Sequence, residues 1–390
     1  MRLKLIGGII LIITGGMLLW AGIHWYSDQN HSLQSSARTT LPKTEKIHLV
    51  AMGDMLAHDS VVAQAKQGES YNFTPYFSQV RSLYNQSNDV VFCNPETLAT
   101  GPKYPISGYP AFNAPLEFIQ ALRSPTNGLG CNVINLATNH INDKGQDQLA
   151  ATVANWETLK PLAFSGANRS INEQNKVAYF TKNDVKFAFI AFADYSNNPE
   201  LSSFGLNNYH DTALVTHLVQ QARTTSDIVI VSMHWGTENT IQPNPDQVAA
   251  SQLLASLGTD IVIGTGPHVL QPVVQLPRSD GGQTIVWYSI GNFLSSQLEA
   301  NQLTGGIAAM DITKEGKKVS LRNLQFFPTF MSYQWPEADK KSDNLLARHS
   351  LQLQPLAKAG QPIESMFPGL SVAERKQFVQ QTLGPLVTVK

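Results

Sequence analysis

A layered α/β domain behind an N-terminal transmembrane helix is the fold class this sequence predicts, on three observations. Short apolar runs alternate with stretches of helical periodicity along most of the chain. Several of those runs end abruptly in carboxylate, amide or imidazole side chains, as strands do where an α/β sheet places its chemistry. And Leu5–Trp25 contains no charged residue, while Arg2 and Lys4 precede it. A span of that length crosses a bilayer, and the basic flank predicts a cytoplasmic N-terminus. A cleaved signal peptide is the alternative, but no small-residue cleavage site follows the apolar stretch.

With 390 residues, a net charge of −1 and only 15% charged residues, the chain can bury a large core and offers no polyanion-binding surface. Nucleic acid is excluded as an expected partner. The segment Ser27–Lys43, rich in Ser, Gln, Asn and Thr, reads as a flexible tether. The organisation expected is an anchor over 1–26, a linker over 27–44, a main domain over 45–330 and a polar C-terminal extension over 331–390. The two cysteines, Cys93 and Cys131, lie on or beside apolar runs. Sequence cannot bring their Cα atoms within bridging distance, so two buried thiols are expected rather than a disulfide.

In chain order, Lys46–Met52 reads as a strand that ends in Gly53-Asp54. A helical pattern then opens through Val61, Val62 and Ala65, with His58 four residues after Asp54. The plain reading of Asp54 is a helix N-cap, and of His58 a solvated helix residue. Asp89–Cys93 is a strand whose exit carries Asn94-Pro95-Glu96, the proline closing the ladder. Residues 101–115 form a long loop holding four prolines and the tyrosines Tyr104 and Tyr109. Long ordered loops are frequently functional. Leu116–Arg123 looks helical, and Val133–Leu136 delivers Thr138, Asn139 and His140.

Gln146–Leu159, Thr212–Arg223 and Gln247–Leu257 show helical spacing. Between and after them, Val185–Phe192, Asp227–Ser232, Asp260–Gly264 and Thr284–Ile290 read as strands. Their exits carry Asp194, His234, His268 and Asn292. Ile307–Thr313 and Val319–Phe327 flank a Lys-Glu-Gly-Lys turn and read as a hairpin that closes the sheet. Beyond residue 336 the chain is polar, with an amphipathic helix around Val372–Leu383 and no chemical signal.

Gathered together, Asp54, Glu96, Asn139, His140, His234 and His268 mix carboxylate, amide and imidazole without a thiolate. Such a donor set suits hard or borderline divalent ions such as Mn, Fe or Zn, and two ions are plausible with this many groups. A metal pair can activate water and clamp both oxygens of a displacement at phosphorus. His140 is then the histidine to protonate or stabilise a leaving oxygen.

The series GDMLAHD, NPET, SGYPAFNAP, NLATNH, SMHWGTE, GTGPHVLQPV and YSIGNF, from about Ile47 to Phe293, resembles the CapA family. These are poly-γ-glutamate capsule biosynthesis proteins with a calcineurin-like metallophosphatase fold. The resemblance implies a layered β-sandwich flanked by helices and an anchored domain on the outer side of the cell membrane. It implies Asp54, Glu96, Asn139, His234 and His268 as metal ligands and His140 as the catalytic histidine. His58, Tyr109, Glu238 and Asn292 fall in the matching motifs as accessory positions. It further implies a metal-dependent hydrolase acting on a cell-envelope polymer or precursor, with an anionic capsule polymer and membrane polymer-synthase subunits as partners. A non-catalytic subunit of polymer synthesis, export or tethering is the alternative. One departure stands out: the family pattern Gly-x-His-Pro-His reads here Gly264-Thr265-Gly266-Pro267-His268. The missing histidine predicts that one of two ions is weakly bound, unless His58 or water takes its place.

Overall fold

The computed structural model describes residues 44–84, 90–124, 126–316 and 318–390, so the anchor over 1–26 and the tether that follows lie outside the described residues. Among those described, no helix is long and apolar enough to cross a membrane. Thr44–Lys390 forms one compact unit.

Among the described residues, fifteen strands build the two large sheets. They are β1 (Thr44–Met55), β2 (Val90–Pro95), β3 (Val133–Asn135), β4 (Ala163–Ser165), β5 (Ala178–Lys182), β6 (Val185–Ala193), β7 (Ile228–His234) and β8 (Ile261–Thr265). There follow β9 (Val273–Pro277), β10 (Gln283–Trp287), β11 (Asn292–Leu294), β12 (Thr304–Glu315), β13 (Lys318–Gln334), β14 (His349–Pro355) and β15 (Thr388–Val389). The first sheet runs β14-β13-β12-β1-β2-β3-β4, with β11 also pairing β1 and β15 pairing β13. The second runs β9-β10-β8-β7-β6-β5. Each has a parallel centre: β1 to β4 in one, and β6, β7, β8 and β10 in the other.

Alternation within β6 explains how the second sheet is covered on both faces. Phe187, Phe189 and Ala191 turn to a core shared with the first sheet, where Phe189 meets Phe92 at 6.1 Å between ring centroids. Ala188, Ile190 and Phe192 turn the other way, onto Leu214, Val215, Leu218 and Val219 of helix α4, defined below. A strand buried on both sides reads as an unbroken apolar run, which is what the sequence displays.

The longer helices are α1 (Asp59–Ala65), α2 (Leu116–Leu122), α3 (Gln146–Thr158), α4 (Thr212–Thr225), α5 (Pro245–Ser256), α6 (Gly360–Met366) and α7 (Val372–Leu383). Capping fixes several starts: Asn244 with Gln247, and Ser371 with Glu374, form reciprocal boxes. The expected hairpin is present and longer than its apolar signal, as β12 and β13, with β12 antiparallel to β1. The polar C-terminal stretch returns to the sheet: β14 pairs β13, and Ile363 and Val379 join the main core.

One sequence expectation is overturned. Cys93 and Cys131 are joined as a disulfide, with Cα atoms 5.7 Å apart. The chain enters β3 directly beside β2, with Cys93 level with Ile134, and Asn132 binds Val91 through backbone and side chain. That pairing supplies the proximity that spacing along the chain could not reveal.

Candidate metal centre

The site lies where parallel strands of both sheets end. Asp54 closes β1, where its register partners are Asn94 on β2 and Asn292 on β11. Glu96 follows β2, Asn139 and His140 follow β3, His234 closes β7, and Gly266 and His268 follow β8. Two glycines permit this convergence. A Cβ on Gly53 would collide with the Gly291 carbonyl that accepts the Asp54 amide. Gly266 holds φ at +102°, a conformation that L side chains rarely adopt.

The core of the cluster is Asp54, Glu96 and His234, whose ligand atoms all lie within 4.8 Å of one another. His268 belongs with them. His234 Nε2 stands 3.4 Å from Glu96 Oε1, and His268 Nε2 stands 3.8 Å from the same oxygen. Asn139 Oδ1 is 3.0 Å from His234 Nε2, while His234 Nδ1 meets Thr265 Oγ1 at 3.0 Å. His268 Nδ1 faces Asp54 Oδ2 and Asn292 Oδ1, both at 3.0 Å. Asp54 also accepts from Asn94 Nδ2 at 2.6 Å and from the Gly266 amide at 3.2 and 3.3 Å.

Glu96 is the exception in this dense network. Its exposure is 0%, yet among the described residues neither carboxylate oxygen receives a hydrogen bond. A buried charge without donors costs several kcal/mol unless a cation balances it. The surroundings respond electrostatically. Burial alone would lower the His268 imidazole, but the Glu96 and Asp54 carboxylates override it and lift the group to about 10. His234 is raised in the same way, burial opposing and the charge of Glu96 prevailing. Burial would push the Asp54 carboxyl up, but the His268 hydrogen bond and charge hold it below the ordinary range. A metal ion bound here would compete with protons for these imidazoles. The mixed carboxylate, imidazole and amide donors around an orphaned glutamate fit a divalent ion.

His140 sits beside this cluster in its own setting. Its Nδ1 is 2.7 Å from Asp143 Oδ2, which also accepts the Phe112 amide at 2.8 Å. The Phe112 ring packs edge-on to His140 at 4.7 Å and to His58 at 5.5 Å. His58 does not reach the cleft along a helical turn from Asp54, because β1 runs to Met55 and α1 starts only at Asp59. It occupies the N-cap position instead, and its ring still faces Phe112.

The accessory positions divide. Asn292 is buried against His268, whereas Tyr109 is 71% exposed and touches Phe112 rather than the cluster. Glu238 is exposed on the wall of a small cavity shared with Asn139, Tyr195, His234 and Gly266. Sequence reasoning passed over Asn94, Asp143 and the Ser296–Arg348 pair. Asn94 stood in view within NPET, and Asp143 one helical turn beyond His140. Nothing in the sequence pointed to Arg348, whose guanidinium reaches the Ser296 carbonyl from the C-terminal segment.

Comparison with known proteins gives a consistent picture. The family profile described as "Bacterial capsule synthesis protein PGA_cap" matches residues 48–297, the span from Asp54 through Asn292 included. The chain is 26% identical over 265 residues to "Capsule biosynthesis protein CapA" of Bacillus anthracis, covering 65% of this chain and 61% of that protein. It is 29% identical over 168 residues to "PGA biosynthesis protein CapA" of Bacillus subtilis (strain 168), covering 42% of this chain and 43% of that one. Less than two thirds of either relative's length is thus matched. Among solved structures, calcineurin-like phosphoesterase YfkN from Bacillus subtilis is similar at a TM-score of 0.39 and 11% identity, over 86% of this chain and 98% of that one. The 5'-nucleotidase from Candida albicans SC5314 is similar at 0.40 and 11% identity, over 73% and 52%.

Proposed function

The chain belongs to the bacterial capsule synthesis protein family PGA_cap, and from that premise we propose a membrane-anchored, metal-dependent hydrolase of phosphoesters in a cell-envelope polymer or its precursor. The observation that carries the reading is Glu96: a fully buried carboxylate, without a hydrogen-bond donor among the described residues, ringed by His234, His268 and Asp54. Glu96, His234, Asn139, Asp54 and His268 are the groups that would hold one or two divalent ions such as Mn, Fe or Zn. A bound ion of this kind supplies Lewis acidity toward a phosphoryl oxygen and lowers the pKa of water towards about 7.

The chain's own residues do the rest. Asp143 Oδ2 accepts from His140 Nδ1 in a 2.7 Å contact that orients the ring, Asn197 Nδ2 stands 3.1 Å from Nδ1 and 3.4 Å from Nε2, and Nε2 would exchange a proton with a leaving oxygen. Phe112 packs against that ring and limits water around it. Support for an extracytoplasmic position comes from the basic-flanked apolar segment Leu5–Trp25 and from the Cys93–Cys131 bridge, since disulfides persist in oxidising compartments. Anionic capsule polymer and membrane polymer-synthase subunits are the proposed partners.

A second reading, a non-catalytic subunit of polymer synthesis, export or tethering, is favoured by Gly266. Where the family pattern has a histidine, this chain presents a backbone amide that donates to Asp54. Turnover of an aryl phosphate with and without added Mn²⁺ separates the two, alongside metal analysis. The hydrolase reading expects metal-dependent turnover, falling about 10²- to 10⁴-fold in His140→Ala at unchanged metal content. A wild-type protein that binds polymer and never turns over supports the second reading.

A further inference from the structure

We infer that His58 is not a metal ligand but a fixed N–H donor that receives a phosphoryl oxygen of the substrate beside His140. Ser296 has all three of its polar groups engaged. Its backbone amide donates to His58 Nδ1 at 3.3 Å, and its carbonyl accepts from Arg348 Nη1. Its hydroxyl accepts from Ser60 Oγ at 2.8 Å. A backbone amide can only donate, so His58 Nδ1 must present its lone pair. In a neutral imidazole the single proton then resides on Nε2. A nitrogen that carries a proton has no lone pair for a cation, and the other nitrogen is already occupied by Ser296. Coordination by His58 would require the Ser296 bond to break.

The surroundings hold the ring in that neutral form. Burial lowers the His58 imidazole to about 3, and the electrostatic influence of Arg348 and His268 acts in the same direction. Arg348 is itself fixed, its guanidinium lying 5.5 Å from the Tyr333 ring centre and 5.8 Å from that of Trp335. The other edge of His58 is free for a ligand: among the described residues no hydrogen bond engages Nε2, and the residue is partly exposed. Phe112 contacts both His58 and His140, so the two imidazoles flank one aromatic ring, and His58 lies close enough to His268 of the cluster to interact with it electrostatically. A neutral N–H donor backed by a guanidinium suits an oxyanion, and the neighbouring cluster suits the phosphorus to which that oxygen belongs.

This inference rests on the phosphoesterase reading for the identity of the oxyanion, and its test uses inorganic phosphate and metal content. The Mn²⁺-loaded full chain is compared with His58→Phe, which abolishes the donor, and His58→Gln, which places an amide N–H near the former Nε2 position. Expected are wild-type metal content in both variants, phosphate affinity lowered at least about tenfold in His58→Phe, and recovery in His58→Gln. Loss of metal from both variants identifies His58 as a ligand and overturns the inference. So does phosphate binding that is absent from the wild type or unchanged in His58→Phe. Aryl phosphate turnover judges the underlying reading separately: phosphate binding that depends on His58 in a chain without turnover sinks the hydrolase and leaves the donor role intact.

Discussion

Strands β7 and β8 carry ionisable groups at both ends, and the two ends are treated in opposite ways. Where the strands begin, Asp260 accepts from Arg223 Nη1 at 2.7 Å, from the Val229 amide at 2.8 Å, and from Arg278 Nη1 on its second oxygen. Asp227 accepts from Lys314 Nζ at 2.7 Å and from the Lys186 amide at 2.9 Å. Where the same strands finish, His234 and His268 face Glu96, whose oxygens receive no hydrogen bond among the described residues. One fold therefore satisfies its structural carboxylates thoroughly and leaves another bare. A saturated carboxylate stabilises, whereas a buried one that no donor reaches costs stability and is the group that a cation would balance under the proposed function.

The contrast breaks if the two ends prove coupled. Asp260→Ala leaves Arg223 without its carboxylate partner and Arg278 with Asp280 alone, beside a buried position, and should cost about 3 kcal/mol in urea unfolding. Metal content should stay at the wild-type level; a parallel loss of metal would show that the strand beginnings also serve the site. Glu96→Gln sharpens the other side. Removing a buried charge that makes no hydrogen bond should leave metal-free stability unchanged or raise it. Under the proposed function Mn²⁺ should stabilise the wild type by about 2.7 kcal/mol at a hundredfold excess over its dissociation constant, and that gain should vanish from the thermal melt of this variant.

The smallest effect is the pH dependence of Asp227. Partial burial would raise its carboxyl, but the Lys314 hydrogen bond, the Lys186 amide and their charges hold it below the ordinary value. A depressed carboxyl contributes stability that is fully present above its unfolded value of about 3.9 and is lost as pH falls through the folded value. The pair is partly exposed, so solvent screening limits this to under about 1 kcal/mol. Asp227→Asn should therefore be slightly less stable than wild type at pH 7 and equal to it near pH 2, measured by urea midpoints.

How much of this could be read beforehand follows from burial. Val185–Phe192 and Asp227–Ser232 announce themselves because both faces of their strands are covered, and the exits of such strands locate Asp54, Glu96, His234 and His268. The strands that escaped notice lie at the rims. Ala163–Ser165 is too short to show a pattern, and His349–Pro355 alternates polar residues because one face meets solvent. Pairings at the site stayed hidden for a related reason. That Asp143 holds His140, or that Arg348 reaches Ser296 across 52 positions, depends on distances that only folding creates. The cysteine bridge was missed on the same account.

The left-handed backbone at Gly266 leaves a histidine little room at this position. A Cβ at that position would stand 3.0 Å from the Trp235 carbonyl oxygen and 3.3 Å from His234 Nε2, in a conformation that already penalises any side chain. An imidazole placed there would crowd His234 Nε2, so a histidine at this position would require a rebuilt turn between Thr265 and His268.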